Sequence, residues 1–324
     1  MENPITSDSL KTPVLFLVFN RPDTTKQVFE AIRKAKPPRL YIAADGPRIN
    51  KEGEAERVKE VRSIATNVDW ECEVTTLFRA ENLGCKYAVS GAITWFFEHE
   101  EQGIILEDDC LPDQSFFWFC EELLDRYKND LRIWHISGNN FQNGIKRGQS
   151  SYYFSKFNHI WGWATWANRW SKYDVEIKSY DSFVSNNIIN DLFELDQDKK
   201  YWSFIFEKVF KGEIDTWDYQ WTYTVWVNSG FSILPNINLI SNIGFGLNAT
   251  HTKDLNSRHS NILRHDLCFP LTHPFFVVKD LAADKYTAFR NFTKANMLNK
   301  VLTKFKSILR LIKDHKLWSD KKLK

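Results

Sequence analysis

Residues 104–109 read Ile-Ile-Leu-Glu-Asp-Asp, a short apolar stretch that ends in three consecutive acids. A continuous apolar run of this kind is typical of a strand buried in a sheet, so its end places Glu107, Asp108 and Asp109 together at one sheet edge. Carboxylates held that close repel one another unless a cation lies among them. Because hard oxygen donors favour Mg²⁺ or Mn²⁺, often together with substrate phosphates, the stretch indicates an enzyme that binds a nucleotide diphosphate.

Strand and helix patterns alternate on both sides of this stretch. Strands are predicted at 14–19, 40–44, 72–78, 103–106 and 132–137, with helices at about 22–34, 51–65, from 84 onwards and at 114–127. This alternation predicts a parallel sheet with helices on both faces, in which ligands bind at the carboxyl ends of the strands. The second half is less regular, with an aromatic stretch at 152–173, helices near 180–211 and 218–229, a strand at 231–234 and a loop at 241–252.

The composition narrows the class of protein. With 324 residues, 43% of them apolar, the chain can bury a sizeable core in one large or two small domains. Five Cys without a CxxC pair indicate neither a disulfide framework nor a zinc site. The N-terminus does not have the pattern of a signal peptide, and no run of eighteen apolar residues occurs, so we expect a cytoplasmic protein.

The net charge of +2 hides an uneven distribution. Residues 294–324 carry ten basic and two acidic side chains, while the rest of the chain is mildly acidic. Within this tail, 298–312 has apolar residues at helical spacing with lysines on the other sides, which predicts a basic amphipathic helix at the inner face of the plasma membrane. The alternative is a helix packed on protein. No nucleic-acid motif accompanies the basic residues, so nucleic acid is not expected as a partner.

The chain resembles the GT-A glycosyltransferases, which use nucleotide-diphospho-sugars. The similar segments are VFNRPDTT at 18–25, AADGPR at 43–48, ENLGCKYAV at 81–89, IILEDDCLPDQSFFWF at 104–119, HIWGWATW at 159–166 and DTWDYQW at 215–221. The acidic segment is similar to that of the N-acetylglucosaminyltransferase I group, and the whole is similar to bacterial transferases of surface-polysaccharide assembly. The resemblance covers about residues 12–255.

This resemblance implies an α/β fold of the GT-A type, Rossmann-like, with a mostly parallel central sheet flanked by helices. The GT-A domain would span 1–290, with a nucleotide-binding half at about 12–140 and an irregular acceptor half at 141–290, followed by the basic amphipathic tail at 291–324. It also implies Mn²⁺ or Mg²⁺ as cofactor, with Asp109 as the direct ligand. Glu107 and Asp108 would support that ligand or contact the ribose and sugar. The alternative is a turn whose acids begin the next helix.

Further residues are expected near the nucleotide by the same resemblance. Asn20 and Arg21 follow the first strand, and Asp45 follows the second, where it would accept a hydrogen bond from uracil or ribose. Arg79, Asn82 and Lys86 surround the third strand–helix junction and would contact base or phosphate. The structural alternatives are a helix start at Arg21, a turn at Asp45 and an N-cap at Asn82.

The acceptor side is expected to involve later residues. Trp161 and Trp163 could stack on sugar rings. Asp218 would be the general base of an inverting reaction, with Asp215 as its competitor. His251, in the loop GFGLNATHT at 244–252, would complete the metal shell.

The expected function is therefore transfer of a sugar, from a UDP-sugar by preference, to a hydroxyl of a bacterial surface glycan or lipid-linked oligosaccharide. Two alternatives stay open at this point. One is a sugar nucleotidyltransferase, which usually has a Gly-rich phosphate loop after its first strand. The other is a non-catalytic glycan-binding protein on the same fold.

Overall fold

The central element of the structure is a mixed sheet, seen in a computed structural model that describes residues 9–245 and 262–293. The strands of the described chain are β1 Val14–Val18, β2 Arg39–Ala44, β3 Glu73–Phe78, β4 Gln102–Glu107, β5 Cys110–Pro112, β6 Ile133–Ser137, β7 Tyr152–Ser155, β8 Trp163–Trp166, β9 Phe231–Pro235 and β10 Ile240–Asn242. His251 and the tail from residue 294 lie outside the described residues, so the predictions made for them stay predictions.

Helices connect most of these strands. They are α1 Pro22–Ala35, α2 Glu54–Ala65, α3 Gly84–Phe97, α4 Gln114–Tyr127, α5 Ala167–Trp170, α6 Tyr180–Ser185, α7 Ile189–Leu192, α8 Asp196–Phe210, α9 Asp218–Val227 and α10 Leu281–Thr287, which continues into a π-helical stretch, Ala288–Thr293. In the part of the chain that the structure describes, no helix is both long and apolar enough to cross a bilayer.

The eight-stranded sheet has the order β3-β2-β1-β4-β8-β6-β9-β7. Strands β3, β2, β1 and β4 are parallel to one another, and β6 is parallel to β9. Strand β8 runs antiparallel to both β4 and β6, and β7 runs antiparallel to β9. The predicted α/β class, with a mostly parallel central sheet flanked by helices, is confirmed. The fifth predicted strand, β6, does not lie beside β4, because β8 is inserted between them.

Residues that alternate along the strands pack into two separate cores, one on each face of the sheet. Phe16 and Ile104 contribute to the core beneath α1, α2 and α4, while Leu15 and Ile105 contribute to the core beneath α3, α8 and α9. All four side chains are fully buried. Burial on both faces explains why these strands are uninterrupted apolar runs, and it leaves the strand ends as the place for polar groups.

The chain after the three acids forms a short strand and does not enter the helix directly. β5 pairs with β10 in a two-stranded ribbon, in which Cys110 is opposite Asn242. Helix α4 then begins at Gln114, and Asp113 is its N-cap, with a side chain that accepts a hydrogen bond from the backbone N–H of Ser115 at 2.9 Å. The alternative in which Asp108 and Asp109 begin the next helix is therefore wrong.

Candidate functional site

A cleft with a volume of about 550 Å³ lies at the carboxyl ends of β1, β2 and β4. Its other walls are the first turn of α3, the segment 160–161 and the segment 214–219 that leads into α9. Nine residues that the sequence predicts to bind donor, metal or acceptor line this cleft: Arg21, Asp45, Arg79, Asn82, Glu107, Asp108, Asp109, Trp161 and Asp218. Asn20 and Lys86 are not among the described lining residues.

The three acids at the end of β4 meet a cation supplied by the chain itself. The Arg21 guanidinium forms an ion pair with Asp108 through one terminal nitrogen and with Asp109 through the other, at 2.8 Å. Asp108 Oδ2 also accepts the backbone N–H of Phe19 at 3.2 Å. Arg21 therefore links the end of β1 to the acids that follow β4.

One arginine does not balance three carboxylates in this environment. Burial, followed by the charges of Asp109 and Asp108, raises the pKa of Glu107 to about 8. Burial also raises the pKa of Asp108, against the lowering effect of Arg21. Burial opposes the charged form of Arg21, but the two aspartates outweigh it and raise the pKa of the guanidinium. The raised pKa of Glu107 means that this carboxyl keeps its proton at neutral pH, and a further cation nearby would favour its charged form.

The β5–β10 ribbon brings a glycine against this cluster. The backbone N–H of Ile243 donates to the carbonyl oxygen of Asp109 at 2.8 Å. A Cβ added at Gly244 would overlap Asp109 Oδ2 and lie 2.6 Å from a terminal nitrogen of Arg21. The backbone at residue 244 can therefore approach the ion pair only because it has no side chain.

The side chain of Asp45 binds backbone N–H groups, a structural role that the sequence did not predict. Its carboxylate accepts hydrogen bonds from the N–H groups of Leu83 and Gly84 at 3.0–3.1 Å and of Gly46 at 3.0 Å. Because its side chain lines the cleft and is bonded to the first turn of α3, Asp45 fixes the position of that helix beside β2. Its proposed contact with uracil or ribose stays a prediction.

Asp215 stabilises the same helix end from a distant part of the sequence. Its Oδ1 accepts the backbone N–H of Lys86 at 3.1 Å, and a Cβ at Gly84 would lie 3.2 Å from its Oδ2. Gly84 has φ +76°, so it is suited to this position for backbone reasons as well. Asp215 therefore lines the cleft and anchors α3, and its role as the competing base stays a prediction.

Asn20 and Lys86 contact other protein groups. Asn20 Nδ2 donates to Glu54 at 2.8 Å, and Arg48 donates to the same carboxylate through its backbone N–H at 2.7 Å and its Nε at 3.0 Å. The hydrogen bonds from the Arg48 side chain are the main reason that the pKa of the Glu54 carboxyl is lowered to about 2. The Lys86 ammonium lies 2.9 Å from Glu176. Both predicted ligand contacts stay predictions, although neither side chain lines the cleft.

Arg79 and Asn82 do line the cleft, with different surroundings. Arg79 donates to the carbonyl of Ala88 at 3.2 Å, and burial lowers the pKa of its guanidinium. Among the described residues it has no carboxylate within ion-pair distance. Asn82 donates to the carbonyl of Gly46 at 2.8 Å and is not the N-cap of α3, which is Leu83. Arg79 is thus a partly desolvated cation suited to an anion.

The two tryptophans of the HIWGWATW segment differ in exposure. Trp161 is partly buried, lines the cleft and contacts the rings of Phe141 and Phe245 edge-on, with centroid distances of 5.5 and 5.8 Å. Trp163 is fully buried and stacks on the rings of His135 and Trp217. The expectation that Trp163 stacks on a sugar is wrong, because its strand position points it into the core.

Asp218 is the first residue of α9 and lines the cleft together with the acids of β4. The Thr216 hydroxyl donates to its Oδ1. The N-cap of α9 is Trp217, so Asp218 does not cap this helix. A carboxylate at this position, oriented by a neighbouring hydroxyl, can accept a proton from a ligand in the cleft.

The residues near Asp109 supply some of the oxygen ligands that a hard divalent cation needs, and water and phosphate can supply the others. The described residues contain no converging group of three or more His, Cys, Asp or Glu side chains. Mg²⁺ usually keeps several waters and binds through one or two carboxylates plus substrate phosphates, so such a group is not required. The Arg21 guanidinium already lies as a stand-in cation on Asp108 and Asp109. The oxygen donors and the local charge therefore fit Mn²⁺ or Mg²⁺.

Several residues of this region were missed by reasoning from the sequence. Arg48, Asn242 and Gly244 line or adjoin the cleft, and Glu54 and Glu176 pair with predicted residues. Arg48 could have been found, because it closes the AADGPR segment after β2. The others become neighbours only through contacts between distant parts of the chain.

Comparison with known proteins gives distant similarities only. No protein-family model matches the chain, and no curated protein matches its sequence. A solved structure of a UDP-glucose pyrophosphorylase complexed with UDP-glucose is similar over 50% of this chain and 79% of that chain, with 10% identity and a TM-score of 0.28. The glycosyltransferase GlyE of Streptococcus pneumoniae TIGR4 is similar over 69% of this chain and 54% of that chain, with 11% identity and a TM-score of 0.31. At this distance neither similarity supports a functional argument.

Proposed function

We propose that this protein is a metal-dependent, inverting glycosyltransferase. It would transfer a sugar from a nucleotide-diphospho-sugar, UDP-sugar by preference, to a hydroxyl of a bacterial surface glycan or lipid-linked oligosaccharide. The observation that supports this most is the shared lining of one cleft by the acid cluster with Arg21 and by Asp218 at the start of α9. Such a cleft offers a diphosphate site and a base in one space.

The donor would lie along the carboxyl ends of the strands. Arg21, Arg48 and Arg79 line this region and present guanidinium groups that can donate paired hydrogen bonds to phosphate oxygens. Asp109 would hold Mn²⁺ or Mg²⁺, with Glu107 and Asp108 nearby. When bound, such an ion supplies Lewis-acid stabilisation of the negative charge on the leaving diphosphate.

Asp218 would act on the acceptor. Its carboxylate takes the proton of the acceptor hydroxyl while that oxygen forms a bond to the anomeric carbon. The bond from the anomeric carbon to the diphosphate oxygen breaks on the opposite face, so the configuration inverts. Trp161, which lines the same cleft, would provide an apolar surface for a sugar ring.

A thermal-shift panel of nucleotide-diphospho-sugars, each with and without Mn²⁺, tests this proposal. A ligand that binds only the folded protein raises its melting temperature, so we expect the largest rise with one UDP-sugar and Mn²⁺ together. Stabilisation by a nucleoside triphosphate with a sugar 1-phosphate, and not by any nucleotide-sugar, would favour a nucleotidyltransferase. Stabilisation by glycans alone would favour a glycan-binding protein.

We also propose that residues 298–312, outside the described residues, bind the inner face of the plasma membrane. The support is the pattern of apolar residues with five interspersed or adjoining basic ones, among them Lys300 and Arg310. Co-sedimentation with vesicles of anionic lipid, compared with vesicles of zwitterionic lipid, tests it. Equal recovery with both kinds of vesicle would contradict the proposal.

A further inference from the structure

We infer that Arg21 is an exchangeable internal cation. In this role it holds Asp108 and Asp109 in the absence of a divalent ion, and it transfers to the donor diphosphate when an ion binds Asp109. This inference rests on the proposed function and deepens it, because it makes Arg21 the link between metal binding and donor binding. It derives from the position of Arg21 on the acids expected to bind the metal.

The ion pairs show that Arg21 occupies the place of a shared cation. Its two terminal nitrogens bind different carboxylates, Asp108 and Asp109, rather than both oxygens of one. The Arg21 side chain is 22% exposed, against 3% for Asp108 and 14% for Asp109. Without such a bridge, two nearly buried carboxylates would face one another with no compensating charge.

Oδ2 of Asp109 is already crowded by protein groups on two sides. Arg21 approaches Oδ2 of Asp109 from one side, and the backbone of Gly244 lies so close that even a Cβ would overlap this oxygen. Because a divalent ion on this crowded oxygen would also repel the positively charged guanidinium, we expect an ion that binds Oδ2 to displace Arg21. Binding of the ion to Oδ1 alone would place it near the Cys110 thiol, whose sulfur is 3.4 Å from that oxygen.

Exchange requires movement of one side chain only. The backbone of Arg21 is fixed, because its carbonyl accepts the N–H of Thr25 at 3.0 Å and the hydroxyl of Thr25 at 2.7 Å. The long side chain beyond this anchor has several rotatable bonds. When the guanidinium leaves, the Asp108 carboxylate still accepts the hydrogen bond from the N–H of Phe19, so it does not lose all of its partners.

The displaced guanidinium has a destination in the same cleft. It would meet the phosphate oxygens of a bound diphosphate, which also carry the negative charge that Arg21 needs. Binding of the ion therefore frees Arg21 for the diphosphate, and binding of the diphosphate draws Arg21 away from Asp109. Metal alone has to displace Arg21 without compensation, so it binds weakly, and the nucleotide strengthens metal binding.

Titration of the full-length protein with Mn²⁺, followed by the electron paramagnetic resonance of free Mn²⁺, tests this inference without measuring turnover. Wild type, Arg21→Gln and Arg21→Lys are each titrated with and without UDP, and matched protein-free titrations correct for Mn²⁺ bound to UDP alone. Arg33→Gln is the control, since it removes an arginine that pairs with Asp69 at an exposed position outside the cleft.

We expect UDP to tighten Mn²⁺ binding by wild type about tenfold, within the usual range of coupling between sites. Arg21→Gln should bind Mn²⁺ alone more tightly than wild type does, and UDP should tighten its Mn²⁺ binding less than in wild type. Arg21→Lys keeps the positive charge but cannot bridge two carboxylates, so its Mn²⁺ affinity and its response to UDP should lie between those of wild type and Arg21→Gln. Binding of Mn²⁺ by this variant would also show that a substitution at residue 21 leaves the protein folded. Arg33→Gln should match wild type.

The outcomes separate this inference from the proposed function. If wild type binds Mn²⁺ with UDP, and both Arg21 variants show the same Mn²⁺ affinity and the same UDP effect as wild type, the inference is wrong and the proposed function stands. If wild type binds no Mn²⁺ even with UDP, the metal dependence of the proposed function is wrong, and the inference is wrong with it.

Discussion

Two pairs of aspartates border the same cleft, yet their surroundings differ. Asp45 and Asp215 accept hydrogen bonds from backbone N–H groups at the first turn of α3. Asp108 and Asp109 instead accept mainly from the side chain of Arg21. A backbone N–H cannot leave without unfolding the turn, whereas a guanidinium can rotate away.

A carboxylate bound by backbone N–H groups helps to position a helix, whereas a carboxylate bound by a side chain can exchange that partner for a ligand. Both pairs follow buried strands or precede helices, and both were candidates from the sequence. The partners of Asp45 and Asp215 give both residues a role in positioning α3. The exchangeable partner of Asp108 and Asp109 leaves them open to another cation.

The largest effect is expected at the exchangeable pair. Asp109→Asn keeps the shape of the side chain and removes its charge, so Mn²⁺-dependent stabilisation by the donor and sugar transfer should both fall below detection. The melting temperature without ligand should stay close to that of wild type, because the Asn oxygen still accepts from Arg21. Melting curves with and without Mn²⁺ and UDP-sugar, with a transfer assay, measure this. Retained metal-dependent stabilisation would remove Asp109 from the site.

Asp218→Asn should separate binding from chemistry. Loss of a general base lowers the rate by about 10²–10⁴-fold, and donor affinity should not change. Asp215→Asn is the matched comparison: it should retain more activity and lose thermal stability, because the N–H of Lys86 loses a charged acceptor. The reverse order of the two transfer rates would identify Asp215 as the base.

Asp45→Ala should mainly change stability. It leaves the N–H groups of Leu83, Gly84 and Gly46 without their acceptor, and we expect a loss of about 2–4 kcal/mol in the free energy of unfolding. Denaturant titration measures it. Asp125→Ala serves as control, since Asp125 is 75% exposed and in a surface pair with Lys128, and its loss should be small. Equal losses in both variants would contradict the anchoring role of Asp45.

Gly244→Ala tests the crowding at the acids and should have the smallest effect. The added methyl overlaps Asp109 Oδ2, so we expect a loss of about 1–3 kcal/mol in the free energy of unfolding, as for other overpacked sites. In the double variant with Asp109→Ala the overlap with Oδ2 is removed, but the added carbon would still lie 2.7 Å from the Cβ of residue 109, so the cost of the methyl should fall only in part. An unchanged cost in the double variant would place the strain elsewhere.

Local patterns in the sequence were sufficient for the first half of the fold. The apolar runs at β1, β2 and β4, and Pro22 at the start of α1, predicted these elements to within a few residues. They also predicted that Arg21 and Asp109 would lie at one sheet edge. Such predictions succeed because a strand buried on both faces leaves an unmistakable run of apolar residues.

The remaining features depend on contacts between distant parts of the chain. The segment Trp163–Trp166 does not show that it will run antiparallel between β4 and β6, because either direction would bury it equally. Lys86 and Glu176 pair across 90 positions, which no local pattern reveals. Asp45 resembled a simple turn residue, because its hydrogen-bond partners are backbone N–H groups. Almost every residue type has such a group, so the sequence does not reveal the partners.

The insertion of β8 between β4 and β6 has a consequence for any shortened form of this protein. A fragment that ends near residue 140 would contain β4 without the strand that covers its outer side. The backbone groups of Gln102–Ile105 that pair with β8 in the complete sheet would then be unpaired, at the edge of an apolar strand. Such edges recruit strands from other molecules. We therefore expect such a fragment to aggregate when it is produced by itself, because it lacks Trp163–Trp166, which pairs with β4 in the complete sheet.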